Sequence, residues 1–161
     1  MKKSIFKFAT ICSLFFAVSF SAQAQFMEKG DVLGSGGFYF PSGLTLLNFG
    51  VDFGVANNVS IGGRFVTVLS KGSKGSYIGG RVAYHLGEAF GVRDTRSLDP
   101  YAAFQVGKIL SSDGSIGLNI PLGLRFMFNE KFGAYAEYMI DLNSEALDNQ
   151  FGLGISFRFN N

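Results

Sequence analysis

Between Ile116 and Phe128 the chain alternates without a break. Ile116, Leu118, Ile120, Leu122, Leu124, Phe126 and Phe128 take every second position, and Ser115, Gly117, Asn119, Pro121, Gly123 and Arg125 lie on the other parity. Successive side chains of a strand point to opposite faces, so a period of two over this length predicts a β-strand with one apolar and one polar face. The same rhythm recurs near the C-terminus, where Phe151, Leu153, Ile155, Phe157 and Phe159 alternate with Gly152, Gly154, Ser156 and Arg158. Weaker versions, separated by turn residues, place six more strands at 30–40, 45–56, 58–70, 76–87, 100–110 and 132–142.

A strand that crosses a bilayer needs roughly 9 to 11 residues. Eight crossings therefore use most of the chain, and an even number returns both ends to one side. The expected fold is all-β: an eight-stranded antiparallel up-and-down transmembrane β-barrel with a filled polar interior. The tight connections Ala56-Asn57-Asn58 and Asn129-Glu130-Lys131 fall on the side of the termini, which is assigned to the periplasm. Pro41-Ser42-Gly43, Lys71 to Gly75, Ser111 to Gly114 and Asn143 to Gln150 fall on the opposite, exterior side. The longest connection, Glu88 to Asp99, lies on the periplasmic side and reverses the usual preference for long outer loops.

The first residues explain how such a barrel would leave the cytoplasm. Lys2, Lys3 and Lys7 precede an apolar stretch from Phe8 to Phe20 and the small-residue site Ala22-Gln23-Ala24, the pattern of a secretory signal peptide cut after Ala24. The division is thus 1–24 signal peptide and 25–161 outer-membrane β-barrel domain. The apolar stretch is shorter than the roughly 20 residues of a spanning helix. The single cysteine, Cys12, lies inside the leader, so the exported part has no disulfides. Losing Lys2, Lys3 and Lys7 takes the formal charge from +2 to −1, and no nucleic-acid partner is expected.

Alternation alone does not say which face meets lipid. Only 16% of the chain is charged, against roughly 25% in ordinary soluble proteins. The lysines Lys29, Lys71, Lys74 and Lys131 sit in turns, whereas Arg64, Arg81, Arg125 and Arg158 lie on the polar parity of strands with Asp52, Glu137 and Asp141. They alternate there with small residues such as Gly62, Gly79, Gly123, Gly152 and Gly154. Eight strands leave a bore that side chains fill, and a guanidinium offers carboxylates a rigid fork of donors. An internal polar network of Asp52, Arg64, Arg81, His85, Arg125, Glu137, Asp141 and Arg158 is therefore expected. The aromatic residues form two bands: Phe53, Tyr84, Phe104, Phe126, Phe128, Phe132, Phe157 and Phe159 toward the periplasmic turns, and Phe38, Phe40 and Phe151 toward the other rim. Lys108 is the exception, because it shares the lipid-facing parity of Ala102, Phe104 and Val106; either its side chain snorkels or a bulge turns it inward.

A Ser-His-acid site would need His85 within hydrogen-bond reach of a serine. Ser60, Ser70 and Ser156 share the inward parity, and nothing in their surroundings distinguishes one from another. His85 is assigned to the polar network, and no catalytic residue, metal site or cofactor is expected. The glycines of Gly34-Ser35-Gly36-Gly37 are read as relief of crowding in the first strand or as a bulge, since no Gly-Lys-Ser/Thr follows them.

Gly30-Asp31, the strand-turn-strand run from Phe53 to Gly63, and Asp99-Pro100-Tyr101 together carry a family likeness. The chain resembles the small outer-membrane β-barrel proteins of the OmpA-transmembrane-domain and OmpX-like kind, over essentially the whole exported part. The resemblance implies that the last strand, Phe151, Leu153, Ile155, Phe157 and Phe159, is the signal read by the barrel-assembly machinery; Asn160 and Asn161 follow it here, whereas the family's chains end in the aromatic. Membrane lipid is the expected surroundings from the two strand faces, and the expected role is structural, envelope-integrity or binding, without enzymatic activity and, because the arginine network fills the bore, without a channel of useful size. The competing reading is a narrow pore, or a soluble lipocalin-like barrel that carries a hydrophobic ligand in the periplasm.

Overall fold

In a computed structural model of the chain, the described residues are 26–41, 43–69, 75–87, 97–110, 114–143 and 149–159. The leader, Ser70 and most of the longer connections lie outside them. Eight strands follow in order: β1 Val32–Phe40, β2 Leu46–Ala56, β3 Val59–Val68, β4 Ser76–His85, β5 Leu98–Ile109, β6 Ile116–Met127, β7 Phe132–Asp141 and β8 Gln150–Arg158. Each pairs antiparallel with its neighbours in sequence, and β1 closes on β8, so the expected eight-stranded up-and-down barrel is the observed one. Boundaries move by no more than two residues. The largest functional consequence is at β5, which starts at Leu98 and so brings Asp99 into the wall.

Alternation has become two surfaces. Outward-facing and exposed are Phe49, Val51 and Phe53 on β2, Leu122, Leu124 and Phe126 on β6, and Phe151, Leu153, Ile155 and Phe157 on β8. Inward and buried are Asn48 and Asp52, Ser60 and Arg64, Arg81 and His85, Asp99 and Gln105, Asn119 and Arg125, Glu137, Ser156 and Arg158. This is an inside-out distribution for a protein in water, where exposed strand faces are polar and charges are seldom buried. It is also the reverse of a carrier with an apolar lumen, since the lumen holds the ions.

At the end that bears both termini, called here the terminal end, β2 turns into β3 through Asn57-Asn58, with Asn58 at φ 59°. This left-handed conformation is one that asparagine tolerates better than most side chains. A register irregularity between Gly54 and Ala56 precedes the turn. Phe126, Phe128, Phe132 and Phe157 form a chain of ring contacts there, with centroids 5.7, 5.7 and 5.1 Å apart. At the opposite, far end Phe40 pairs in register with Phe151. The two aromatic bands are thus present, except that Phe104 lies midway along β5 rather than in either.

Lys108 keeps its outward parity. No bulge interrupts the pairing of β5 with β4, where Lys108 stands opposite Ile78. It is the penultimate residue of β5, at the far rim, and its side chain reaches up beside Gly114 in the following connection. The snorkelling alternative is the one realised.

Candidate functional site

The bore is filled in successive layers. In the middle, Asp52 on β2 pairs with Arg64 on β3 at 2.9 Å and approaches Arg81 on β4 at 3.6 Å. Arg81 reaches across to Glu137 on β7 at 3.1 Å. Glu137 also accepts hydrogen bonds from the hydroxyls of Tyr39 at 2.5 Å and Tyr101 at 2.8 Å. Three donors thus meet this carboxylate, one on Oε1 and two on Oε2, and such partners are the condition for keeping a buried charge.

Nearer the terminal end a second cluster centres on Asp99. Its carboxylate accepts from Arg125 Nη1 at 3.0 Å and from His85 Nδ1 at 2.9 Å. His85 Nε2 lies 3.1 Å from Ser60 Oγ, and Arg125 Nε donates to Ser156 Oγ at 3.0 Å. Tyr101 joins the two clusters, because the guanidinium of Arg81 lies 5.1 Å from its ring centroid and that of Arg125 4.9 Å.

Apolar side chains are packed at each mouth. At the terminal end the segment before β1 folds under the barrel. Gly30 N donates to Gly54 O, Gly54 N to Asp31 O, and Asn58 N to Met27 O, at 2.9, 2.8 and 2.9 Å. These bonds set Phe26 and Met27 into the bore beside Leu33 and Met127. The Phe26 ring stacks on His85 with centroids 5.6 Å apart and planes at 22°, and Arg158 and Arg125 stand over its face at 4.8 and 5.6 Å. Arg158 Nη2 also donates to the Phe26 carbonyl at 2.8 Å. At the far end Tyr39, Leu46, Val66, Tyr77 and Met139 form an apolar layer beneath the rim.

Of the eight expected network residues, Asp52, Arg64, Arg81, His85, Arg125 and Glu137 are brought together. Arg158 is buried but belongs to the Phe26 plug. Asp141 is a correction: although its parity is inward, it ends β7 at the far rim and is partly exposed. The apolar layer at Met139 separates it from Glu137, and its Oδ1 accepts from Asn143 N at 2.9 Å in the turn beyond.

Asp99, the tyrosines and the plug escaped the sequence reading. Asp99 stood next to Pro100 at the edge of a long connection, a context that argues for a turn rather than a wall. The available signal was parity, because Asp99 keeps step with Tyr101 and Gln105. Tyr39, Tyr77, Tyr101 and Tyr135 have no role in the sequence reading, and they lie flat inside over glycines. A Cβ on Gly123 would fall within the Tyr101 ring, one on Gly152 within Tyr39, and one on Gly154 against Tyr135. The inward glycines are therefore sockets for rings as well as relief beside ions. Ser60 likewise gained a context that parity alone could not supply.

No family model and no curated protein matches the chain. Solved structures do. The N-terminal β-barrel domain of Pseudomonas aeruginosa OprF aligns with a TM-score of 0.64 at 21% identity, over 81% of this chain and 98% of that one. The Yersinia pestis outer membrane protein Ail, in a phospholipid bilayer nanodisc, gives 0.56 at 14%, over 81% and 100%. A transmembrane β-barrel designed de novo gives 0.61 at 15%, over 82% and 98%. At these identities the likeness concerns the fold. A designed barrel fits beside natural ones, so the fold by itself assigns no role.

Proposed function

We propose that this protein is an integral outer-membrane barrel that serves the envelope as a sealed structural element, embedded in lipid and without a channel of useful size. The observation that carries the reading is the pairing of an apolar outer surface, edged on one side of the terminal end by Phe126, Phe128, Phe132 and Phe157, with a lumen occupied by ion pairs. A hydrocarbon environment rewards the first, and only a closed wall that satisfies every backbone group survives in it. The likeness of the fold to Ail and to the OprF barrel domain supports the same membrane. On this reading the terminal end, with its tight turns, faces the periplasm. The exposed row Phe151, Leu153, Ile155, Phe157 and Phe159 on the closing strand is then available to the barrel-assembly machinery before β8 meets β1.

The test is fractionation with heat-modifiable migration. An unboiled sample of the outer-membrane fraction should run as a compact band that shifts on boiling, and recovery as a soluble periplasmic monomer would refute the assignment. A deletion strain should become more sensitive to detergents and large antibiotics; unchanged sensitivity would remove the envelope-integrity role while leaving the location intact.

A further inference from the structure

Ser60, His85 and Asp99 lie on three successive strands, β3, β4 and β5, and share the inward face near the terminal mouth. Ser60 stands opposite Ala83 and His85 opposite Tyr101, so each member is a diagonal neighbour of the next. A carboxylate accepts only, so His85 Nδ1 carries the proton donated to Asp99. In the neutral imidazole the Nε2 lone pair then faces the Ser60 hydroxyl at 3.1 Å. Nucleophile, base and orienting acid are thus in the relationship that activates a serine for acyl transfer, a geometry recognised by roles rather than by position in the chain. Asp99 has the Arg125 guanidinium at 3.0 Å already, so neutralising its charge does not require His85.

Over the base of this trio lies Phe26, part of the plug with Met27, Leu33 and Met127. Its ring covers the imidazole face and is itself flanked by the guanidiniums of Arg125 and Arg158. Withdrawing the ring would uncover the face of the base on the terminal side. We infer that Ser60 is an activated nucleophile held beneath a Phe26 lid, able to accept an acyl group from a small ester when the lid is displaced.

In that reaction the Ser60 Oγ–H proton passes to His85 Nε2 as the Oγ–carbon bond forms. The bond from carbon to the leaving alkoxide then breaks, and the alkoxide takes the proton from Nε2. Water repeats the sequence in reverse, releasing the carboxylic acid and restoring Ser60. Asp99 stabilises the imidazolium while it lasts.

The test uses the refolded barrel in detergent micelles, with an alkyl fluorophosphonate as probe. On this reagent the Oγ–phosphorus bond forms, the phosphorus–fluorine bond breaks and fluoride leaves. Phe26→Ala, shown to be folded by heat-modifiable migration, is expected to carry the adduct at Ser60 by peptide mass. Adding His85→Gln should slow labelling by about a hundredfold or more, the usual contribution of a general base. Wild-type protein should label at the same residue far more slowly, and faster on warming below its unfolding midpoint as the lid opens. That arm carries the test if Phe26→Ala does not fold. Absence of Ser60 adduct in a folded Phe26→Ala chain would overturn the inference, as would labelling indifferent to His85. Either result would leave the trio as a buried hydrogen-bonded chain only.

Discussion

Arg81 and Glu137 meet across the bore at 3.1 Å although 56 residues separate them in the chain. The contact ties the strand that follows the second far-end connection to the strand that precedes the last. Glu137 is also the shared acceptor for Tyr39 and Tyr101. Glu137→Leu would strand a guanidinium and two phenolic hydroxyls at once, leaving Arg81 only the longer approach to Asp52. Breaking a buried pair from one side costs about 3 to 5 kcal/mol. A fall of that size in the unfolding free energy, read from urea denaturation in detergent micelles, is expected; an unchanged midpoint would show that the pair contributes nothing to stability.

The tyrosine sockets separate two kinds of glycine. At Gly123 a methyl group would enter the space of the Tyr101 ring, whereas at Gly63 or Gly80 on the outer face the nearest atoms stand 3.8 and 3.9 Å away. Overpacking of this sort costs about 1 to 3 kcal/mol. Gly123→Ala is expected to lower the denaturation midpoint and to disturb the near-ultraviolet signal of tyrosine. Gly80→Ala should do neither, and equal effects from the two would mean that the rings are not seated as described.

The wall was legible in the sequence because a strand with two unlike faces writes its own period into the chain. Ile116 to Phe128 and Phe151 to Phe159 needed no more than that, and the inward parity of Arg64, Arg81, Arg125 and Glu137 followed. Partnership across the lumen was not legible, because contacts between β4 and β7 or β1 and β7 depend on side-chain length and on which levels of the bore coincide. Parity gave Asp141 to the interior, but height in the barrel decided otherwise. Phe26 was hidden for a different reason. It belongs to no strand, and only the backbone bonds of residues 27–31 to the β2–β3 turn set it under the bore.

Height also governs the cost of charge on the lipid face. Val51 lies on the outer face midway along β2, opposite Gly34 and Gly63, while Lys108 sits one residue from the end of β5. A basic side chain costs about 2 to 4 kcal/mol at mid-membrane and about 0 to 1 near an interface. Val51→Arg is therefore expected to destabilise the barrel in lipid bilayers by the larger amount, and Lys108→Leu to change it by less than about 1 kcal/mol. If the two variants were equally harmless, the outer surface would not be facing hydrocarbon.

Conduction is the property on which the layered lumen makes its sharpest demand. An ion entering from the terminal mouth meets Phe26 and Met27, then the clusters of Asp99 and Glu137, then the apolar layer of Tyr39, Leu46, Val66, Tyr77 and Met139. The barriers stand in series, so removing one leaves the others in place. In planar bilayers the wild-type barrel is expected to show no more than small, flickering events, and Phe26→Ala to behave alike, because the far-end layer and the salt-bridged middle still fill an eight-stranded bore. A steady, ohmic conductance from Phe26→Ala would locate the whole resistance at the lid, and the sealed-barrel reading would fail.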